Sequence, residues 1–215
     1  MKTFIQETML KDLSICDKLI DYHDNNMEYK SRGSTALGQG KGKVSTDVPI
    51  YMGSQNPIVL MYVEKLFAMA NRYMKDLGIE NFLKLTMKEP IMLQHYAPNE
   101  GFFDWHCERS VYQSHQRALV FMTYLNDVND GGDTEFHFQQ MKVKAVKGKT
   151  VIWPTDFTHI HRGITSPTEH KYIDTGWFNF FDVADWGREF MNKKCLKELY
   201  YGNIFMGREV SAKKY

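Results

Sequence analysis

The sequence has too few cysteines for a disulfide scaffold and no run apolar enough to cross a membrane. Its three cysteines, Cys16, Cys107 and Cys195, are widely spaced and odd in number, which argues against a cystine framework or a CxxC zinc site and points to a reducing compartment. Charge of one sign is also missing. The 27 basic and 26 acidic residues leave a formal net charge of +1, so no global field draws nucleic acid or an anionic membrane. No GxxxxGK[ST] phosphate loop, internal repeat or low-complexity tract occurs. The opening MKTFIQETMLKDL is interrupted by Glu7 and Asp12 before a signal-peptide core could form, so a cytoplasmic protein with neither membrane nor nucleic-acid partner is expected.

What is present suits one soluble globular domain: 215 residues, 43% hydrophobic, 14% aromatic and 25% charged. Three regions divide it. Residues 1–80 read as helical support with a glycine-rich loop, 81–183 as a strand-rich core, and 184–215 as a C-terminal helix with a basic tail. Met9, Leu13, Cys16 and Ile20 step at helical spacing and predict a helix from Thr8 to Asp21. Gly33, Gly38, Gly40 and Gly42, interspersed with Lys30, Arg32, Lys41 and Lys43, predict a surface loop suited to covering an active site. The clearest helix spans Asn56 to Leu77, with Asn56 as cap, Pro57 in the first turn and Gly78 just past the end. Beyond Gly78 the period becomes that of strands, expected at Leu83 to Met87, Ile91 to Tyr96, Phe102 to Cys107, Ala118 to Tyr124, Asp133 to Phe138, Met141 to Val146, Thr150 to Trp153, His159 to Arg162 and Lys171 to Phe181. Many short strands after helices describe an α+β barrel or sandwich with helices on one face.

The chemistry concentrates in QHYAPNEGFFDWHCE, Gln94 to Glu108. On a strand, His106 and Glu108 share a face and could grip one metal ion. About one H-x-[DE] is expected by chance in such a composition, so the pair needs company. That company lies between Gly148 and Phe181, where His161 precedes Gly163 and Lys171 follows His161 by ten residues. Two imidazoles and one carboxylate on one side of a metal, with the remaining positions open, is the arrangement of non-haem Fe(II) oxygenases. The count of three leaves room for a bidentate 2-oxo acid and for O₂, and a buried lysine would pair with the distal carboxylate of that acid.

These residues resemble the prolyl 4-hydroxylase-like branch of the Fe(II)/2-oxoglutarate-dependent oxygenases. The resemblance runs from about Lys84 to Phe181 and includes Tyr96, the Tyr124-Leu125-Asn126-Asp127 segment, the Gly131-Gly132-Asp133-Thr134-Glu135-Phe136 turn and strand, and Trp153-Pro154. The chain also resembles uncharacterised bacterial and phage members that carry a WHxE motif. The resemblance implies a double-stranded β-helix of the jelly-roll or cupin-like kind, metal ligands His106, Glu108 and His161, and Lys171 as cosubstrate anchor with Tyr96 and Tyr124 as further contacts. It also implies Fe(II), 2-oxoglutarate and O₂, with ascorbate as a candidate reductant, and hydroxylation of a C–H bond in a peptidyl residue, proline being the leading case. Most of the wider family has aspartate where this chain has Glu108, one methylene longer.

Several residues carry competing readings. His159 rivals His161, being two positions away on the same expected strand, while His95, His115, His137 and His170 suit structural roles. Cys107 should face away from the metal, and Trp105 and Trp153 suit packing. Arg117, Arg162 and Trp177 are candidate substrate or cosubstrate contacts. Rival functions are a non-catalytic cupin-like metal or sugar-binding module, an oxygenase acting on a small molecule, and a zinc hydrolase using the same three ligands.

Overall fold

A computed structural model describes residues 3–35, 38–39 and 42–182. The principal elements are β1 (Gln6–Met9), α1 (Ser14–Asn25), β2 (Thr46–Ile50), α2 (Pro57–Leu77), β3 (Ile91–Tyr96), β4 (Arg117–Tyr124), β5 (Thr134–Phe136), β6 (Met141–Val143), β7 (Lys149–Pro154), β8 (His161–Gly163) and β9 (Lys171–Phe180). An eight-stranded sheet runs in the order β1, β7, β4, β9, β3, β2 and the two-residue strand Ser31–Arg32, with Leu85–Thr86 joined to the far end of β9. A three-stranded sheet orders β6, β5 and β8. All strand pairings among the described residues are antiparallel. This is the α+β double-stranded β-helix arrangement, with helices on one side of the large sheet and the small sheet on the other.

Strand β4 shows why the large sheet can carry both layers. Its side chains alternate, and both sets are apolar and buried. Leu119 and Phe121 join the helix-side core with Leu66, Phe67 and Phe178, while Val120, Met122 and Tyr124 join the opposite core with Phe136, Val143, Val151 and Trp153. Gly176, in the middle of β9, lets Phe121 cross it: a Cβ there would lie 2.3 Å from the Phe121 ring. Helix α2 packs Val59, Tyr62, Val63, Leu66, Phe67, Ala70, Tyr73 and Met74 against this sheet. It starts and stops as its ends dictate. Asn56 Oδ1 accepts from the Ile58 amide at 3.0 Å, and Gly78 takes the left-handed conformation at φ 73°.

The N-terminal region departs from its sequence pattern. Residues Gln6–Met9 form an edge strand on β7 rather than the start of a helix, and α1 begins only at Ser14. Met9 and Leu13, the first two positions of the expected stripe, are exposed, and the buried face is Ile15, Cys16, Leu19 and His23. Strand β2 was not expected. The barrel strands fall near their expected positions, but Phe102 to Cys107 contributes only Gly101–Phe102, and His159 ends a 3₁₀ turn rather than starting a strand. In the glycine-rich loop the backbone forms a short hairpin, Ser34–Thr35 on Gly38–Gln39. The expected helix and tail over 184–215 lie outside the described residues. No described helix is long and apolar enough to cross a membrane.

One polar cluster sits inside the helix-side core. Asp174 is fully buried, Tyr62 Oη donates to its carboxyl group at 2.7 Å, and Thr123 and Thr150 hydroxyls continue the chain. Burial without a cationic partner pushes the carboxyl up to about 8, against the lowering effect of the Tyr62 bond. A carboxyl raised in the folded state contributes stability that is complete below its unfolded value near 4 and is lost as pH rises through about 8. Stability should therefore fall between pH 4 and 8 by up to about 1.4 kcal/mol per pH unit from this group alone. Asp174→Asn keeps an acceptor for Tyr62 and should remove that component, seen as a flatter dependence of denaturant midpoint on pH and a higher midpoint at pH 8.

Candidate metal centre and cleft

Residues His106 and His161 are joined first through their backbones. The His106 amide donates to the His161 carbonyl at 3.0 Å and the His161 amide to the His106 carbonyl at 2.9 Å, an isolated antiparallel bridge that ties the loop after Phe102 to the start of β8. Residue Glu108 is not on a strand. Its amide, with that of Arg109, donates to the Thr155 carbonyl, and this anchor turns the longer side chain back toward the two imidazoles. Glu108 Oε1 lies 3.6 Å from His106 Nε2 and 3.4 Å from His161 Nε2. Among the described residues, His106, Glu108 and His161 are the one group of three whose ligand atoms, all within 4.8 Å of one another, could hold a metal ion.

Each imidazole is fixed by its other nitrogen. His106 Nδ1 meets the Asp104 carbonyl and His161 Nδ1 meets the His159 carbonyl, both at 2.9 Å. A carbonyl only accepts, so each Nδ1 carries the proton and each Nε2 offers a lone pair toward the shared point. Ring packing fixes the planes. Phe102 stacks on His106 at 3.5 Å between centroids, and Trp153 stands edge-on to His161 at 5.0 Å. Burial and the neighbouring His106 lower the His161 pKa, which favours the neutral ligand form. Burial alone would raise the Glu108 carboxyl, but its contacts with His106 and His161 outweigh that and hold it well below the usual carboxylate range.

The second Glu108 oxygen is engaged elsewhere. Trp177 Nε1 donates to Oε2 at 3.1 Å, and Arg117 Nη1 lies 3.7 Å from the same atom while donating to the Glu108 carbonyl at 3.0 Å. The Arg117 guanidinium also lies over the Trp177 ring at 3.5 Å and is paired with Glu89. Both Arg117 and Trp177 line the cleft. The two came together because β4 and β9 are paired, with a register shift between Arg117 and Leu119.

Lys171 opens β9 opposite Tyr96 on β3. Burial lowers its pKa to about 8, with Asp133 acting in the opposite sense. Its Nζ lies 5.7 Å from the Tyr96 ring and 5.4 Å from the Tyr124 ring, and it makes no hydrogen bond or ion pair with any described residue. A buried ammonium in that state fits an anionic ligand. Trp153 Nε1 is likewise buried without a partner. Tyr96 lines the cleft and gives its hydroxyl to Gln94 Oε1 at 2.8 Å. Tyr124 is fully buried behind it, its hydroxyl already bonded to Thr134 Oγ1 at 2.7 Å and the Val143 carbonyl at 3.1 Å.

The remaining candidates fall outside this centre. His159 turns away, its Nε2 on the Thr3 carbonyl at 2.9 Å, because the 3₁₀ turn breaks the alternation that would have set it beside His161. Arg162 does not line the cleft. It pairs with Glu135 at 2.9 Å and stacks over exposed Trp105. Cys107 reaches the cleft wall instead of facing away, with its thiol pKa raised by burial. The cleft has a volume of about 920 Å³, room for a small dicarboxylate and a second molecule beside the triad. Sequence reasoning did not find Thr134, Met122 or Gln94 as wall residues, and alternation on β3, β4 and β5 is the signal that could have.

The donor set fits the cofactors of one family. Residues 91–179 match the 2OG-Fe(II) oxygenase superfamily. No curated protein matches the chain in sequence. Among solved structures, a Pseudomonas putida prolyl-4-hydroxylase is similar at 15% identity and TM-score 0.62, covering 83% of this chain and 94% of that one. The viral collagen prolyl hydroxylase of Paramecium bursaria Chlorella virus-1, in its 2-oxoglutarate complex, is similar at 16% identity and TM-score 0.62, covering 83% and 97%. A Trichoplax adhaerens prolyl hydroxylase, in complex with a hypoxia inducible factor oxygen degradation domain peptide fragment, is similar at 15% identity and TM-score 0.65, covering 89% of each chain. At these identities the likeness establishes a shared double-stranded β-helix. The HxE…H triad lies inside residues 91–179, the part of the chain that matches the 2OG-Fe(II) oxygenase superfamily.

Proposed function

We propose that this protein is a dioxygenase that hydroxylates a peptidyl residue, with proline the leading case, using His106, Glu108 and His161 to hold Fe(II) and Lys171 to anchor 2-oxoglutarate. The observation that carries the reading is Lys171: a buried ammonium with no described acceptor, in the same cleft as three converging ligands. When bound, Fe(II) with 2-oxoglutarate and O₂ supplies the conversion of C–H to C–OH, coupled to release of succinate and CO₂.

The chain's own residues do the positioning. The Nδ1–carbonyl bonds keep both Nε2 lone pairs directed at one point. Trp177 and Arg117 occupy Glu108 Oε2, which favours donation through Oε1 alone and leaves more positions for the oxo acid. Such support of a ligand carboxylate typically matters about 10- to 100-fold in metal affinity or activity. Lys171 would pair with the distal carboxylate, an interaction strengthened by its dry surroundings. Tyr96 would line the cosubstrate, and Tyr124 would act through its ring against the ammonium, its hydroxyl being spent on Thr134 and Val143. Support for a peptidyl substrate comes from the cleft's breadth and from the prolyl hydroxylase neighbours, one of them bound to a peptide.

Four outcomes test the reading. Succinate release from 2-oxoglutarate with Fe(II) should be stimulated by proline-containing peptides in a screen that also offers free amino acids and nucleobases, and stimulation only by a non-peptide would overturn the substrate class. His161→Ala should abolish succinate formation, whereas His159→Ala should retain it; the reverse pattern would reassign the ligand. Lys171→Ala should raise the 2-oxoglutarate requirement roughly a hundredfold or more, since breaking a desolvated charge pair costs several kcal/mol. In the unmodified enzyme that requirement should be flat below pH 8 and rise about tenfold per unit above it as Lys171 loses its proton, and the rise should vanish in Lys171→Ala.

A further inference from the structure

A second polar site lies in the same cleft, on the far side of Tyr96 from Lys171. Lys43 and Asp47 form a buried ion pair, Nζ to Oδ2 at 2.8 Å, and Ser45 Oγ donates to Asp47 Oδ1 at 2.7 Å. Lys43 and Asp47 are each 4% exposed, and both line the cleft. Asp47 is the register partner of Gln94, so their side chains stand side by side on one face of the sheet. Gln94 is 8% exposed and also lines the cleft. Its carboxamide oxygen takes the Tyr96 hydroxyl, while its NH₂ meets no described partner. Lys43 Nζ stands 5.9 Å from the ring of Phe102, the ring that stacks on His106. The group is thus one aromatic side chain away from the metal centre.

Stability does not explain the pair. A buried ion pair is weak evidence for stability, since apolar residues of similar volume often replace it without loss. The wall is closed from behind. Gly33 packs against it so tightly that a Cβ would lie 2.1 Å from Ser45 Oγ, and the Gly33 amide donates to the Ser45 carbonyl at 2.9 Å. Lys43, Asp47 and Gln94 all line the cleft, so the hydrogen-bonding capacity left unused among the described residues can be spent toward it. That capacity is mixed: two N–H groups on Lys43, two on Gln94, and free lone pairs on both Asp47 oxygens. A carboxylate would meet Asp47, and an ammonium would meet Lys43. A group that presents an acceptor and a donor together satisfies the wall without net charge.

We infer that Lys43, Asp47 and Gln94 form a substrate subsite for an amide, the carbonyl taken by Lys43 and Gln94 and the N–H given to Asp47. This deepens the peptidyl reading and rests on it: the amide would be a main-chain unit next to the oxidised residue. It separates substrate binding from the Lys171 end of the cleft, where the requirement is for an anion.

The test compares an amide with its ester, which lacks the N–H and is a weaker acceptor. The full chain, loaded with Mn(II) and 2-oxoglutarate, is titrated with N-acetylproline N-methylamide and with N-acetylproline methyl ester, and binding is read by tryptophan fluorescence, since Trp105, Trp153 and Trp177 all line the cleft. The amide should bind at least about tenfold more tightly, the size expected when a buried donor and acceptor lose their partners. In the Lys43→Met/Asp47→Leu double variant, which leaves no lone buried charge, the ratio should fall to about one. Gln94→Leu, which disturbs no charge, should lower it about threefold and serves if the double variant does not fold. Equal affinity of the unmodified protein for the two probes, binding of neither, or an amide preference that survives in the folded variants would overturn the subsite. If the amide preference stands while the succinate screen responds only to a non-peptide amide, the peptidyl reading fails and the subsite does not.

Discussion

Two backbone hydrogen bonds between His106 and His161 carry the rest of the site. They join the loop after Phe102 to the first residue of β8 in the small sheet, and so bring two imidazoles to ring centroids 4.3 Å apart. Without that bridge the loop from Phe103 to Cys107 would have no ladder to hold it, since regular pairing ends at Phe102. Glu108 depends on the same constraint. Its backbone is pinned to Thr155 and its outer oxygen to Trp177, so the extra methylene relative to aspartate is taken up by a fixed turn rather than by a free side chain. The longer carboxylate is compatible with one ligand oxygen facing both imidazoles.

The cleft has three chemically distinct parts, and each is set by a different strand. Two imidazoles and a low-pKa carboxylate converge at β8 and the loop before β4. An unpaired ammonium stands at the start of β9. A neutralised ion pair with spare donors and acceptors lies at the start of β2. Because β2, β3 and β9 are neighbours, the row Asp47, Gln94 and Ile173 runs across one face, with Tyr96 and Lys171 paired on the row beside it. The large sheet is therefore both the wall of the core and the ruler that spaces the triad, Lys171 and the Lys43–Asp47 pair.

Much of this was legible in the residues. Helix α2 announced both of its ends through Asn56, Pro57 and Gly78, because capping is local chemistry. The convergence of His106, Glu108 and His161 was legible through order and spacing, although the strand argument for the first pair misplaces its cause: Glu108 reaches the centre from a loop. What stayed hidden depended on long-range pairing or on conflicting local signals. Strand β2 contains Pro49, which reads as a strand breaker, yet it lies toward the sheet edge where a missing donor is tolerated. Met9 and Leu13 mimicked a helical stripe because an edge strand and a following helix happened to fall in step. The Glu108–Trp177–Arg117 arrangement depends on the β4–β9 register and its shift at Arg117, which no local window contains.

We propose that three protein ligands would leave adjacent metal positions for a chelating oxo acid anchored by Lys171. Anaerobic addition of 2-oxoglutarate to the Fe(II)-loaded protein, followed by visible absorption, tests it most directly, because a 2-oxo acid chelated to Fe(II) produces a charge-transfer band that neither component gives alone. The account predicts a band that saturates at one 2-oxoglutarate per chain. Absence of the band in protein shown to hold one Fe(II) per chain would contradict it.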